Sequence, residues 1–179
     1  MAYYFRMIHI VLLQPEKPLN TGNIMRTCVA IGAKLHIIGP IDFSLSEKDI
    51  KRAGLDYIDR LKLEIHIDYL DFENKYKNEI IYYVTRYSKT SYTSRDFSSP
   101  FVDLFLVFGK ESTGIPHDIL RAHKDKLLRI PMISDVRSLN LSNCVAIVAY
   151  EVLRQQKFEG LATQEMIKGA DWLEEEINK

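Results

Sequence analysis

The sequence predicts an α/β protein with a mostly parallel sheet and helices on both of its faces. Continuous apolar runs of strand length, such as "IHIVLL" at 8–13 and "VDLFLVFG" at 102–109, are typical of strands that are covered on both faces. These runs alternate with helical segments, as a parallel sheet requires. The 179 residues are enough for one domain with a sizeable core.

The remaining elements are predicted in chain order from local patterns. After the strand at 8–13, a polar loop leads into a helix over about 21–33, with Asn20 or Thr21 as its N-cap. The next strand, "KLHIIGP" at 34–40, is ended by Gly-Pro. We then expect short helices at 46–54 and 69–77, a strand at 79–85, a polar loop at 86–100, a short helix from Pro116, a strand at 126–131, and a long helix from about Asn140 to Gln156.

The ends of the chain are predicted to lie outside the main domain, which we place at 7–158. Met7 is a candidate natural start, and residues 1–6 are then an N-terminal extension. Residues 159–179 form a tail that is predicted to be helical and amphipathic, with Trp172 and Leu173 as its anchor. No apolar run approaches the roughly 18 residues that cross a bilayer, and no signal-peptide pattern is found, so we expect a cytoplasmic protein.

Charge and metal-ligand composition exclude several classes of function. With 24 basic and 24 acidic residues, the chain does not bind nucleic acid through bulk charge, although a local basic surface remains open. Cys28 and Cys144 lie far apart in apolar segments and are predicted to be buried thiols. There is no H-E-x-x-H, and His117 and His123 are six residues apart, which does not place them on one helical face. We therefore expect no metal.

The common nucleotide-binding and hydrolase motifs are missing. No G-x-G-x-x-G follows a strand, and no G-x-S-x-G elbow is found. The stretch "FGKESTG" resembles a phosphate loop only superficially, because Glu111 follows Gly109-Lys110. If the chain binds a ligand, other residues must therefore form the site.

Three loops carry unusual polar content, at 14–26, 109–116 and 131–143. Loops that follow parallel strands at their carboxyl ends are where such sheets bind ligands. In "NTGNIMRT" at 20–27, helix capping explains Asn20 and Thr21 but does not explain Asn23 and Arg26. In "FGKESTGIP" at 108–116, the two glycines fit either a strand-to-helix turn or close approach of the backbone to a ligand.

The third loop leads into the long helix, "DVRSLNLSNCVAIVAYEVLRQ" at 135–155. If Asn140 is the cap, the third helical position is Asn143, so no Glu or Gln completes a capping box, and Ser138 and Ser142 are also left over. Unpaired N–H groups of that first turn can hold a ligand. A core stripe follows at Leu141, Val145, Val148 and Val152, whereas Cys144, Ile147 and Ala149 widen the apolar surface and indicate a second subunit.

These stretches carry a resemblance to a known superfamily. "NTGNIMRT", "LVFGKESTGIP" (106–116) and "RIPMISDVRSLNLSNCVAIVAYEVLRQ" (129–155) resemble, in that order, the three motifs of the SPOUT methyltransferases. The short chain, together with "LHIIGP" and "KRAGLDY", is similar to the TrmL (YibK) group, which 2′-O-methylates the wobble nucleotide of tRNA. The match runs from about Ile8 to Gln156. It implies a C-terminal trefoil knot that holds S-adenosylmethionine, and a homodimer built on the first and last helices.

The resemblance also implies roles for individual residues. The reaction chamber would be formed by Asn23, Arg26, Glu111, Ser142 and Asn143. Arg26 would be the base, but a guanidinium with a pKa above about 12 is normally a donor, so an alternative is that it holds a phosphate and polarises the hydroxyl. The cofactor would contact residues of four segments: Val84, Thr85, Gly109, Glu111, Ile130, Met132, Ser138, Leu139 and Asn143.

RNA contact is predicted from the loop "RYSKTSYTSR" at 86–95, whose alternative interpretation is an ordinary solvated loop. It interleaves cationic and aromatic side chains, which suit phosphates and stacked bases: Arg86, Lys89 and Arg95 with Tyr87 and Tyr92. Lys17, Lys48, Lys51 and Arg52 would add to this surface. The predicted substrate is nucleotide 34 of tRNA, cytidine or uridine-type. The alternatives are another tRNA site, ribosomal RNA, or a knotted RNA-binding protein without catalysis.

Overall fold

The computed structural model describes residues 7–45, 58–99 and 102–175. Its centre is one six-stranded sheet in which every strand pair is parallel, in the order β3-β2-β1-β5-β4-β6. The predicted α/β class is therefore confirmed. The strands are β1 (Ile8–Leu13), β2 (Lys34–Ile38), β3 (Lys62–His66), β4 (Ile80–Val84), β5 (Leu104–Phe108) and β6 (Leu127–Leu128).

Helices cover both faces of the sheet. The helices are α1 (Pro18–Ile31), α2 (Tyr69–Tyr76), α3 (His117–Ala122), α4 (Leu141–Gln155) and α5 (Trp172–Glu175), with short 3-10 turns at Ile58–Arg60, Tyr92–Ser94 and Lys124–Lys126. Residues of α1 and α4 share one hydrophobic cluster with β1 and β2, whereas residues of α2 and α3 pack in a second cluster on the other face. Among the described helices, each is too short or too polar to cross a lipid bilayer.

The start of α1 differs from the prediction. The helix begins at Pro18, and Lys17 occupies the N-cap without a side-chain hydrogen bond. The reason is that proline at the first helical position has its φ angle preset and lacks only an N–H that would be unpaired anyway. Asn20 and Thr21 are therefore not caps but buried side chains of the first turn.

Other elements differ from the prediction or lie outside the described residues. Strand β3 was not predicted, because it is an edge strand whose sequence, "KLEIH", mixes charged and apolar residues. The predicted strand at 126–131 is shortened to two residues, since the backbone of Arg129 bonds to Thr90 and Tyr92 instead of continuing the ladder with β4. The predicted helix at 46–54 lies outside the described residues. In the tail, one helical turn forms at Trp172–Glu175.

Helix α4 begins as the sequence predicts. The Oδ1 atom of Asn140 accepts from the N–H groups of Ser142 at 2.9 Å and Asn143 at 3.4 Å. The stripe that includes Val145 is buried in the chain's own core. Ala149 is buried there too, which corrects its assignment to a surface that a second subunit would cover.

The far end of α4 is clamped by the loop at 86–99. The Gln155 side chain accepts from the Phe97 N–H at 2.7 Å and donates to the Arg95 carbonyl at 3.0 Å. Gln156 donates to the Phe97 carbonyl at 3.2 Å, and the Phe97 ring is buried in the core. The loop is thus fixed both to α4 and to the interior.

Candidate functional site

The loops predicted to carry function leave the sheet at one edge. Leu12 is paired with Phe108, Val84 is also paired with Phe108, and Val84 is paired with Leu128. Because these residues lie at the carboxyl ends of four parallel strands, the loops that follow β1, β5, β4 and β6 start side by side. The three polar segments of the sequence converge on this edge.

A pair of glutamates joins the first loop to the second. The Glu111 carboxylate accepts from the N–H groups of Glu16 at 2.8 Å and Lys17 at 3.2 Å, just before α1 begins. In return, the Glu16 carboxylate accepts from the hydroxyl of Ser112 at 2.7 Å and from its N–H at 2.9 Å. Both hydrogen bonds lower the pKa of Glu16, and the bond from the Ser112 hydroxyl has the larger effect. The Glu16 carboxylate therefore stays ionised and accepts both hydrogen bonds.

Asn20 connects both of these loops to the third. Its Nδ2 donates to Oε1 of Glu111 at 2.9 Å, and its Oδ1 accepts from Nδ2 of Asn140 at 2.9 Å. An ionised carboxylate only accepts, which fixes the orientation of the Asn20 amide and then that of Asn140. Asn140 is left with its oxygen toward α4, where it caps the helix. One chain of hydrogen bonds therefore runs from Glu111 to the first turn of α4.

The glycines of the second loop have a structural explanation. A Cβ atom on Gly109 would lie 2.1 Å from the carbonyl carbon of Gly114, which no side chain tolerates. Lys110 and Gly114 exchange backbone hydrogen bonds at 3.2 and 2.9 Å, and Gly114 has a φ of 75°. Of the two interpretations that the sequence left open, Gly109 fits the tight turn. This turn presents Glu111 toward α1.

The predicted catalytic residues occupy different surroundings. Asn23 and Arg26 lie exposed on α1, three and six residues beyond Asn20. Glu111 is half-buried and central to the site. The Ser142 hydroxyl is not left over, because it donates to Oδ1 of Asn140 at 2.6 Å. Asn143 has an exposed side chain while its N–H joins the cap.

Sequence reasoning missed the residues that hold the site together. Asn20 and Asn140 were assigned only to helix capping, and Glu16 and Ser112 were not considered. Pro18 carried the missing signal, since a helix that starts there places Asn20 inside the first turn rather than before it.

The residues predicted to contact the cofactor lie along the same edge. Val84 and Ile130 are partly buried against the core, and Gly109 is buried at the end of β5. Thr85 donates its N–H to the Leu128 carbonyl at 2.8 Å. Ser138 and Leu139 are exposed just before the Asn140 cap, and Met132 is half-buried.

Some residues of the predicted RNA loop are exposed, and others contact the rest of the chain. Arg86, Tyr87 and Lys89 are exposed, and the Arg86 guanidinium lies 5.0 Å from the centroid of the Tyr87 ring. Tyr92, by contrast, packs against the core. Arg95 donates to the Asp125 carbonyl at 2.5 Å and lies 5.8 Å from the Tyr82 ring, so its charge is committed within the chain.

Metal-ligand side chains come together away from this edge. His36, Glu64 and His66 lie on neighbouring strands β2 and β3, with one ligand atom from each within 4.8 Å of the others. Burial lowers the pKa of His36 to about 3, so its imidazole is neutral. Sequence spacing alone tests only ligands that share a helix, so this group on two neighbouring strands was not predicted.

An all-parallel sheet whose carboxyl-edge loops are joined by polar side chains defines the architecture of a ligand-binding α/β protein. This chain belongs to the SpoU rRNA Methylase family, whose model matches residues 7–150. The resemblance indicated by the three motifs is thereby confirmed.

Relatives match the chain over nearly their whole length. The tRNA (cytidine(34)-2′-O)-methyltransferase of Escherichia coli K12 is 40% identical over 160 residues, which cover 86% of this chain and 97% of the relative. A protein of Geobacillus stearothermophilus with a provisional form of the same name is 48% identical over 155 residues, or 87% and 99% of the two chains. A solved structure concerned with 2-OH methylation of C/U34 on tRNA is 38% identical, with a TM-score of 0.78 over 86% of this chain and 99% of that chain.

Proposed function

We propose that this protein transfers a methyl group from S-adenosylmethionine to the ribose 2′-hydroxyl of nucleotide 34 in tRNA, a cytidine or a uridine-type nucleotide. The observation that carries the proposal is the hydrogen-bond chain Glu111–Asn20–Asn140, which unites the three motif segments at the carboxyl edge of the sheet. The names of relatives that match nearly end to end support the choice of substrate over another tRNA site or ribosomal RNA.

The residues along this edge fit the proposed methyl donor. Adenine and ribose need neutral hydrogen-bonding groups and an apolar wall, and Val84 and Ile130 provide apolar surface there. In the described part of the chain, no hydrogen bond to another protein group engages the N–H of Ile130, Met132 or Leu139. These three groups and Ser138 are therefore proposed to bind the donor, together with Thr85, Gly109 and Asn143. When bound, the donor supplies an electrophilic methyl group.

The chain's own contribution to the reaction is mainly positioning. Methyl transfer is an in-line displacement, so its rate depends on how well the ribose oxygen is aligned. Arg26 lies exposed on the helix that Glu111 and Asn20 anchor. We propose that its guanidinium holds the phosphate beside the acceptor and polarises the 2′-hydroxyl, because an arginine is a poor base. Asn23, Ser142 and Asn143 are proposed to complete the polar wall.

The knot and the homodimer are part of the same proposal. The proposed knot has the chain pass through the loop at 86–99 before it forms α4, and Gln155 and Gln156 would then hold that loop against the end of α4. Exposed Leu19 on α1 and exposed Tyr150 on α4, beside half-buried Cys144 and Ile147, support an interface formed by the first and last long helices.

The RNA is proposed to approach beside the loop at 86–89. Tyr87 is 52% exposed, is flanked by the Arg86 guanidinium, and meets the His117 ring edge-on at 5.3 Å. Such a platform suits a nucleotide base together with its phosphate. Lys89 adds an exposed positive charge. Tyr92 and Arg95 are assigned to the fold rather than to RNA.

The decisive experiment is incubation of the purified protein with total tRNA and S-adenosylmethionine carrying a labelled methyl group. Digestion to nucleosides and mapping should place the label on the ribose of nucleotide 34. Label in ribosomal RNA or at another tRNA position would contradict the proposed substrate. Binding of tRNA without any transfer would favour a protein that binds RNA without catalysis.

A further inference from the structure

Three histidines form a line across the sheet on the face opposite α1 and α4. His9 on β1, His36 on β2 and His66 on β3 are buried and stacked, with ring centroids 5.0 and 5.3 Å apart. Nδ1 of His9 lies 2.8 Å from Nε2 of His36, and Nδ1 of His36 lies 3.0 Å from Nε2 of His66. The methyl-transfer edge uses none of these side chains.

Carboxylates stand at both ends of the line. Nε2 of His9 lies 3.4 Å from Oδ2 of Asp103, and Nδ1 of His66 lies 3.3 Å from Oδ2 of Asp71. The line therefore has four gaps, two between imidazoles and two to carboxylates. Each ring nitrogen of the line therefore faces either another imidazole nitrogen or a carboxylate oxygen.

The gap between His36 and His66 brings two ring nitrogens together. A neutral imidazole has one nitrogen that donates and one that offers a lone pair. Nε2 of His36 faces His9, which leaves Nδ1 of His36 on the side of His66. Nδ1 of His36 and Nε2 of His66 lie 3.0 Å apart there, as two candidate metal ligands.

A third ligand atom faces the same gap. Oε1 of Glu64 lies 3.4 Å from Nε2 of His66, and the three atoms lie within 4.8 Å of one another. A triangle of that size leaves its corners about 2.0–2.4 Å from a common point, which is the length of a bond from zinc to nitrogen or carboxylate oxygen. We propose that His36, Glu64 and His66 bind one divalent transition-metal ion of the zinc type, at a site that serves the fold and not the methyl transfer.

The surroundings match those of metal-bound histidines. Such ligands usually have a carboxylate or another acceptor beside their second ring nitrogen. The second nitrogen of His66 lies 3.3 Å from Asp71, and that of His36 lies 2.8 Å from His9. Imidazole nitrogen combined with carboxylate oxygen favours Zn²⁺, Co²⁺ or Ni²⁺ over Mg²⁺ or Ca²⁺. The donor set therefore selects the class of ion.

The nearby charges allow a dication. Glu64, Asp71 and Asp103 contribute three negative charges, against the two ammonium groups of Lys34 and Lys75, which lie 2.5 and 2.6 Å from Glu64. Lys34 and Tyr76 contact Oε2, which leaves Oε1 to Lys75 alone among these donors. The Lys75 side chain is 56% exposed, so it can turn into solvent when a metal takes Oε1.

A metal bound at this site would stabilise the exposed edge of the sheet. Its ligands come from β2 and from edge strand β3, while Asp71 belongs to α2, which covers that face. A metal bound there links these elements in the folded chain only, so it should raise the stability of the fold.

The test is a titration of the full chain with Co²⁺ after treatment with a chelator and dialysis. We expect visible absorption bands that saturate at one Co²⁺ per chain, displacement of the bands by Zn²⁺, and a rise in melting temperature with either ion. Replacement of one ligand, His66→Asn, should weaken binding about tenfold to a hundredfold or more. Glu64→Gln is a second, gentler variant that keeps the shape of the side chain.

His117→Asn is the matched control, because His117 is exposed and lies on α3. It should bind Co²⁺ like the unaltered protein. Failure of the unaltered protein to bind Co²⁺ at millimolar concentration would overturn the proposal. Equal binding by the Glu64→Gln, His66→Asn and unaltered proteins would also overturn it.

Discussion

The side-chain amide of Asn20 donates to the carboxylate of Glu111 over 2.9 Å, although 91 residues separate them in the sequence. The oxygen of the same amide accepts from Asn140, which is 120 residues away. One buried side chain thereby sets the distance between the starts of two helices and the turn after β5. The positions of Arg26 and of the α4 cap both depend on this link.

Replacement of Asn20 by alanine should damage both the fold and the activity. It removes one hydrogen-bond partner from Glu111 and one from Asn140, which should reduce the free energy of unfolding by about 1–3 kcal/mol. Turnover should fall further than stability explains, since the α1 and α4 starts lose their register. Urea denaturation and single-turnover methyl transfer measure the two effects. Asn74→Ala, on the exposed surface of α2, is the control and should change neither.

Replacement of Arg26 by alanine should remove most of the turnover and leave S-adenosylmethionine binding nearly intact. The proposed role of Arg26 is toward the RNA acceptor and not toward the donor. Calorimetry with the donor and methylation of tRNA test the two parts separately. Arg26→Lys should retain more activity than Arg26→Ala if a positive charge on the phosphate is what matters. A fully active Arg26→Ala protein would refute this role.

Replacement of Gly109 by alanine should be severely destabilising. The added Cβ would meet the Gly114 carbonyl carbon at 2.1 Å, so the turn must open, at a cost of about 3 kcal/mol or more. Gly32→Ala is the control, because Gly32 has a φ of 69° but no atom within 4 Å of an added Cβ. It should lose only about 1–2 kcal/mol. Equal losses in the two variants would contradict the packing argument.

The contribution of Glu151 to stability should depend on pH. Hydrogen bonds from Arg154, at 2.8 and 2.9 Å, and from Gln155, at 2.8 Å, lower the pKa of this carboxylate in the folded chain. A lowered pKa stabilises the fold above the ordinary value of 4.5, and this stabilisation is lost as the pH falls through the folded-state value. Glu151→Gln should therefore be less stable than the unaltered protein at pH 7. The difference should shrink below pH 4.5, as urea titrations at several pH values would show.

The proposed metal site and the proposed methyl-transfer site lie in different parts of the fold. Glu64 contacts Lys75 and Tyr76 of α2, whereas Asn20 and Arg26 lie on α1. Loss of Co²⁺ binding in the Glu64→Gln variant should leave methylation of tRNA unchanged at 25 °C.

The sequence by itself determined the fold class and the three segments that carry the function. Apolar runs such as 8–13 identify strands because side-chain burial in a parallel sheet is recorded in each local stretch. The cap at Asn140 and the core stripe of α4 were likewise local, and the structure confirmed both. The family resemblance rested on short motifs, which the chain keeps in order.

Only the tertiary structure decided which polar side chains meet. Asn20, Glu111 and Asn140 touch because parallel strands bring distant loops to one edge, and no local pattern specifies such a contact. The line of histidines arose in the same way, from the register of three strands, one of which was not predicted. Local sequence patterns indicate which residues are buried. Contacts between loops depend instead on the order of the strands, which is fixed only when the whole sheet forms.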